Sequence, residues 1–329
     1  MTETLMVAFG GNTIQPGTSN ALGEQRKNVR AICDSLAVLV SRGYTVVLTH
    51  GNGPQIGEIM LLSETADLSE AVSLDTAGAM TQGQMGYMFQ QELGNALAAI
   101  RCARSSCTVV TQVLVDESDP AFSEPSKPIG RFYSEEEIAP LARRHGWSVG
   151  EDSGRGFRRL VPSPEPLSIV EWPGIKALVD AGFLVIAAGG GGVPVMQDER
   201  GRLCGVAAVI DKDLAAQRLA TLVGASTLVL ITAVEAVSIH FGTLRELPLT
   251  RVSLREMQDW HKGGEFAEGS MGPKVQAAIR FLQEGGTRAI ITSSERLIEA
   301  VEGSAGTQIV CEAPVSEPSV ITSRQGGRR

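Results

Sequence analysis

The residues best suited to chemistry cluster at Asp211-Lys212-Asp213, two acids bracketing a lysine. Ahead of them Val206 to Ile210 read as a short buried run. Behind them Leu214, Leu219 and Leu222 recur among alanines at the spacing of one helix face. Asp211 is then the N-cap, which puts Lys212 and Asp213 in the first turn. A cation there is disfavoured by roughly 0.3–1 kcal/mol, because the helix N-terminus is itself positive. An anion held between the lysine and the free backbone N–H groups reverses that sign. Taken alone, the triplet fits a solvated surface ion pair at least as well. A second lysine, Lys274, repeats the placement. Gly269-Ser270-Met271-Gly272-Pro273-Lys274 opens a helix through Val275, Ala278, Ile279 and Leu282, with Ser270 as N-cap and Pro273 in the first turn.

Three glycine loops accompany the lysines: Gly10-Gly11-Asn12, Gly51-Asn52-Gly53 and Gly189 to Gly192, each after an apolar run. Consecutive loop N–H groups form anion nests, and a lysine adds a mobile point charge. At Gly190 and Gly191 the missing Cβ lets backbone approach a ligand closely. Phosphoryl transfer needs this equipment, since its catalysis is mostly positioning and charge stabilisation. None of the loops is a Walker A sequence, the Rossmann glycine spacing is absent, and so are the protein-kinase set and G-x-S-x-G. His50, His145, His240 and His261 lie far apart and make no metal pattern, so no metal-binding residue is assigned. His50 reads either as a base or as a structural histidine at a strand end.

The elements that must position these groups alternate. A strand at Leu5–Phe9 and a helix with Val29, Ile32, Leu36, Leu39 and Val40 on its apolar face come first. A strand at Tyr44–Thr49 follows, and Pro54 then opens another helix. Strand, helix, strand implies a parallel sheet, with ligands beyond the C-terminal strand ends where the glycine loops fall. A Met-, Gln- and Ala-rich helix spans Asp75–Ile100, its methionines read as core packing, and a third strand covers Cys107–Val115. From Asp116 to about Pro166 prolines, glycines and charges crowd together, an excursion too long for a plain loop and read as a small domain or lid. Its arginines Arg155, Arg158 and Arg159 read as a solvated hairpin face rather than a binding patch. Beyond it come helix Pro173–Ala181, strand Phe183–Ala188, a hairpin turn at Gln197–Arg202, strand Thr227–Thr232 and helix Leu254–Trp260. Strand 288–292, helix 295–302 and strand 308–311 complete the alternation. The Pro-, Ser-, Gly- and Arg-rich stretch 312–329 reads as a disordered tail.

Across 329 residues, 43% hydrophobic content supports a large core, and a net charge of −8 argues against non-specific nucleic-acid binding. A site for an anion is then a local positive focus. Five scattered cysteines without C-x-x-C read as reduced thiols of a cytoplasmic protein. The N-terminus reaches a glycine pair after one strand-length apolar run, without a secretory h-region, and no stretch approaches a membrane span.

In this arrangement the chain resembles carbamate kinase, within the amino-acid kinase fold group. The matching strings are Phe9–Asn12, His50–Gln55, Gly78–Gln82, Ser126–Gly130, Asp152–Arg155, Val161–Pro164, Gly189–Pro194, Ala208–Ala216 and Gly269–Lys274, in the family's order and covering the chain to about Cys311. The resemblance implies an α/β fold: a mostly parallel central sheet sandwiched by helices over residues 1–311, with a protruding subdomain at about 116–166. It implies reversible phosphoryl transfer between carbamoyl phosphate with ADP and carbamate with ATP, using Mg²⁺, in a homodimer. Arginine metabolism is one setting for such a reaction. Lys127 would reach into the site from the subdomain, Lys212 and Lys274 would stabilise the moving phosphoryl group, and Asp213 would orient them. Gly10, Gly11, Asn12, Gly51, Asn52 and Gly53, with Gly190 and Gly191, would hold carbamoyl phosphate. The nucleotide would lie against Thr232, Ala233, Val237, Met271, Gly272 and Lys274. Carbamate is already an anionic nucleophile, so a site without a general base suits it. Thr13-Ile14, Thr76-Ala77, Arg131, Ala207 and His240 depart from the family pattern without removing a proposed catalytic group. Two other readings stay open: a same-fold kinase for another small acid, and a catalytically silent metabolite sensor.

Overall fold

The computed structural model describes residues 3–14, 22–65, 72–152, 154–267 and 269–311. Its centre is an eight-stranded sheet in the order Arg251–Ser253, Thr307–Val310, Arg288–Ser293, Thr227–Thr232, Thr4–Phe9, Thr45–His50, Leu184–Ile186, Ser106–Thr108. All neighbouring pairs are parallel except Arg288–Ser293 against Thr307–Val310. The strands read as unbroken apolar runs because helices cover both faces, as parallel sheets require. Side-chain alternation divides them between two cores. Leu5, Val7 and Phe9 pack with Val29, Ile32, Leu36 and the helix residues Met85, Phe89 and Leu93. Met6 and Ala8 face the other way, onto Ile175, Leu219, Val275 and Phe281.

Thr4–Phe9 and Thr227–Thr232 are parallel neighbours at the middle of the sheet, and the chain leaves them toward opposite sides. Such a switch point opens a crevice beyond the C-terminal strand ends. Gly10, Gly51 and Ala233 follow directly on strands that end there, and Gly189 lies three residues past Ile186.

The expected third strand is interrupted. Ser106–Thr108 joins the large sheet, whereas Gln112–Leu114 belongs to a four-stranded sheet with Val193–Gln197, Leu203–Gly205 and Ser168–Ile169. Residues 109–111 turn the chain from one to the other, and an apolar β-branched run does not reveal such a break. Within the excursion, Lys127–Tyr133, Phe157–Val161 and Ser148–Glu151 form an antiparallel sheet beside helix Glu135–His145. Helix Glu135–His145 carries a capping box at Ser134 and Glu137 and ends at left-handed Gly146. The expected helix 295–302 is a 3₁₀ turn at Ser294–Arg296 running into Leu297–Val301. The expected tail 312–329 lies outside the described residues.

Among the described residues no helix is long and apolar enough to cross a membrane. The five cysteines are free thiols; Cys33 is buried, and burial pushes its thiol far up from the ordinary range.

Candidate functional site

Helix Lys212–Val223 begins as its sequence predicts. The Asp211 carboxylate accepts from the N–H groups of Asp213 (2.9 Å) and Leu214 (3.4 Å), capping the helix with Lys212 at its first position. Helix Met271–Gln283 supplies Lys274 from its first turn, but Ser270, although at the N-cap, makes no side-chain capping bond there. The two helices pack together and bring their lysines onto one carboxylate. Lys212 Nζ donates to Asp213 Oδ1 at 2.6 Å, and Lys274 Nζ to Asp213 Oδ2 at 2.9 Å. From the excursion, Lys127 Nζ reaches Asp211 Oδ2 at 2.6 Å. The sequence marks Asp211 only as a cap and does not announce this partner. Three ammoniums against two carboxylates leave one net positive charge inside a molecule of net charge −8.

Burial by itself raises the Asp213 carboxyl, but the two ammoniums on its oxygens overcome burial and hold it well below the usual carboxylate range. Burial also works against both lysines. At Lys212 burial, joined by the charge of Lys274, outweighs the attraction of Asp213 and lowers the pKa. At Lys274 the carboxylates of Asp213 and Asp211 outweigh burial and raise it.

The glycine loops meet one another and this cluster by backbone approach. A Cβ on Gly51 would stand 2.5 Å from the Gly11 nitrogen, and one on Gly190 about 2.0 Å from the Asn52 amide. A Cβ on Gly191, whose φ is +95°, would stand 2.3 Å from the carbonyl oxygen of Ile210, next to Asp211. The three loops and the Asp-Lys-Asp turn therefore form one continuous floor. Gly191→Ala combines that collision with a left-handed backbone and is expected to lower stability by about 2 kcal/mol or more. A urea midpoint equal to wild type would rule out the close approach.

Asn52 is buried and donates to Thr81 Oγ1 at 2.7 Å, a partner that sequence reasoning missed although Thr81 lies in one of the matching strings. Gly53 is the first residue of helix Gly53–Thr65, and Asn12 lies in the short helix Gly11–Ile14. Thr232 ends its strand at the same edge as the glycine loops, with Ala233 exposed beyond it. Val237 is instead fully buried in the core, its N–H bonded to Thr307 Oγ1 at 2.8 Å. Met271 and Gly272 form the first turn that carries Lys274.

His50 is a structural histidine. It is 1% exposed and stacks on Phe89 with 5.7 Å between ring centroids. Burial, aided by the nearby Lys212 charge, lowers its pKa to about 4. Above about pH 6.5 the residue is neutral in both the folded and unfolded chain. As pH falls the unfolded chain takes up this proton first, and the native state follows only near the lowered pKa of about 4. The resulting loss between those values is roughly 3 kcal/mol. Urea midpoints from pH 7 to 4 should fall less steeply in His50→Gln than in wild type; parallel curves would contradict the assignment.

The arginines of the excursion are not simply solvated. Arg158, 14% exposed, donates to Asp152 Oδ2 at 2.9 Å and to the Gly130 carbonyl at 3.0 Å, and shares the Phe132 ring with the more exposed Arg155. They brace the small sheet. Of the departures from the family pattern, Arg131 lies over the Tyr133 ring, and His240, at φ +54°, sits 3.2 Å from Glu265.

A family model described as the amino acid kinase family matches residues 3–293. Carbamate kinase of Thermococcus kodakarensis is 49% identical over 315 residues, covering 94% of this chain and 100% of that protein. Carbamate kinase of Pyrococcus horikoshii is 46% identical over 313 residues, covering 94% and 99%. A solved structure of Giardia lamblia carbamate kinase bound to AMP-PNP superposes with a TM-score of 0.87 at 42% identity, covering 94% of this chain and 98% of that one. The chain belongs to the amino acid kinase family. It is an ATP-dependent phosphotransferase, and within the family it groups with the carbamate kinases.

Proposed function

We propose that the chain moves a phosphoryl group between carbamoyl phosphate and ADP, giving carbamate and ATP, at the floor built by the glycine loops and Asp211-Lys212-Asp213. The observation that carries this is the lysine cluster, whose three ammoniums against two carboxylates leave one net positive charge, with the nearby His50 held neutral by burial. In the ATP-forming direction a terminal oxygen of ADP attacks phosphorus, the bond to the carbamate oxygen breaks, and carbamate leaves as an anion. In reverse, carbamate attacks the γ-phosphorus and ADP leaves. No proton moves in either direction, so a buried neutral His50 is no handicap.

Lys212 and Lys274 neutralise charge on the transferring group, and Asp213 fixes both ammoniums before substrate arrives. Lys127 exchanges Asp211 for phosphate when substrate fills the site. Gly10, Gly11, Asn12, Gly51, Asn52, Gly53, Gly190 and Gly191 line the carbamoyl phosphate side. The nucleotide lies toward Thr232, Ala233, Met271 and Gly272, with Val237 supporting that surface from the core. That the Giardia relative was solved bound to AMP-PNP supports a nucleotide as one of the substrates.

Magnesium fits as an ion carried by the nucleotide phosphates. Among the described residues no three His, Cys, Asp or Glu side chains gather to hold a metal, while Mg²⁺ commonly binds through substrate phosphates, waters and one or two carboxylates. Asp211 and Asp213 would be the nearest carboxylates to hold it, and when bound it would neutralise phosphate charge. The same reading makes residues 116–166 a lid on a 1–311 kinase unit, in a cytoplasmic homodimer. It also allows a role in arginine metabolism.

The acceptor is tested by following ADP release from ATP with carbamate, acetate and other small carboxylates in turn. Carbamate should be preferred strongly; turnover with another acid and none with carbamate would overturn the assignment in favour of a same-fold kinase.

A further inference from the structure

The loop Gly189–Gly192 begins at a residue that should not be there. Ala188 has φ +52° and ψ +31°, a left-handed conformation that a side-chain-bearing residue adopts only under constraint, and it is fully buried. Its constraints come from two threonines and a glutamine outside the loop. Ala188 N–H donates to Thr111 Oγ1 at 2.9 Å, and the Ala188 carbonyl accepts from Thr49 Oγ1 at 2.8 Å. Thr111 is itself immobilised. Its N–H donates to Gln82 Oε1 at 2.8 Å, its carbonyl accepts from Gln82 Nε2 at 3.0 Å and from Val193 N–H at 2.8 Å, and its hydroxyl donates to the Val109 carbonyl at 2.8 Å. Thr49, Gln82 and Thr111 are at most 1% exposed. The break of the chain at residues 109–111, between the two sheets, is what frees the Thr111 hydroxyl for Ala188.

We propose that Thr111 is a positioning residue for the reaction: by clamping left-handed Ala188 it sets the height of the glycine loop against Asn52 and Ile210, and so the seat of the phosphate-bearing substrate beside Lys212. The clamp reaches the site in three contacts, from Thr111 to Ala188, through the loop to Gly190 on Asn52, and to Gly191 on Ile210. Ala188 follows strand Leu184–Ile186 on one half of the sheet, whereas helix Met271–Gln283 packs on Thr227–Thr232 and Arg288–Ser293 on the other, so the clamp should act on the substrate and not on ADP. This inference rests on the carbamoyl phosphate reading.

The test compares full-length wild type, Thr111→Val and Thr111→Ser in the ATP-forming direction, with folding checked by circular dichroism. Thr111→Val keeps the volume and removes the hydroxyl. It should raise KM for carbamoyl phosphate about tenfold or more, as misplaced binding groups do. KM for ADP should stay within about twofold of wild type, and Thr111→Ser should restore both. Adding Ala188→Gly to Thr111→Val should recover part of the loss, because glycine holds the left-handed conformation unaided. A folded Thr111→Val with unchanged KM for carbamoyl phosphate, an equal rise in both KM values, or a serine variant no better than valine would overturn the proposal. If Thr111→Val does not fold, adding Ala188→Gly should restore folding, because glycine needs no clamp to stay left-handed, and a double variant that also fails to fold would overturn the proposal. Hydrogen exchange without substrate separates this inference from its parent. Amides 188–192 should lose protection in Thr111→Val whatever the substrate proves to be, and unchanged protection would refute the clamp.

Discussion

Lys212→Ala should leave the protein folded and able to bind ADP while lowering kcat by about 10³-fold, equivalent to about 4 kcal/mol of transition-state stabilisation. The two halves of that expectation come from one geometry. Asp213 is shared, with Lys212 on one oxygen and Lys274 on the other. Removing Lys212 leaves the Asp213–Lys274 pair intact, so no buried charge is stranded and stability changes little. The transferring phosphoryl group, however, loses the ammonium held at the helix's first position, over the glycine floor. Because that interaction strengthens as charge spreads over the phosphoryl oxygens, the loss falls on kcat more than on binding. Steady-state kinetics with a separate ADP titration checks this; a variant within about tenfold of wild-type kcat would show that Lys212 is not at the reacting phosphorus.

Asp213→Ala should behave in the opposite way and fail in stability first. It leaves the Lys212 and Lys274 ammoniums side by side, 12% and 14% exposed, with their shared counter-charge gone. Breaking such a buried pair destabilises by about 3–5 kcal/mol, and partial access of solvent to the lysine tips places this case near the lower figure. The deficit should shrink as pH rises, because one of two repelling buried lysines sheds its proton more readily than in the unfolded chain, and it should shrink in millimolar phosphate, where an anion replaces the carboxylate. Asp213→Asn, which keeps the shape and removes the charge, should show the same dependence. Urea midpoints across pH, with and without phosphate, decide it; a variant as stable as wild type at neutral pH would mean that the lysines are not held together by this carboxylate.

The core of this arrangement is legible in the sequence because its signals are local. A capping aspartate before an apolar-periodic run places Lys212, and the apolar strands ending in glycines place the loops at one sheet edge. Interactions between distant segments were out of reach. Nothing in the spacing of Lys127 and Asp211 announces a 2.6 Å contact across 84 positions. The run Cys107–Val115 reads as one strand because both sheets it joins bury apolar residues, so the turn at 109–111 leaves no mark on the pattern. Ala188 is the plainest case: alanine carries no hint of a left-handed conformation, which only the surrounding hydrogen bonds impose. The sequence around His50 fits a base and a structural residue equally; its burial and its stack on Phe89 make it structural.

The central claim, phosphoryl transfer between carbamoyl phosphate and ADP at the lysine cluster, is tested most directly by one assay on the purified full-length chain. ATP formation is followed in the presence of carbamoyl phosphate, ADP and Mg²⁺, with ADP binding measured on the same preparation. Turnover should require both substrates and collapse in Lys212→Ala. Protein that binds ADP normally and forms no ATP from carbamoyl phosphate would contradict it.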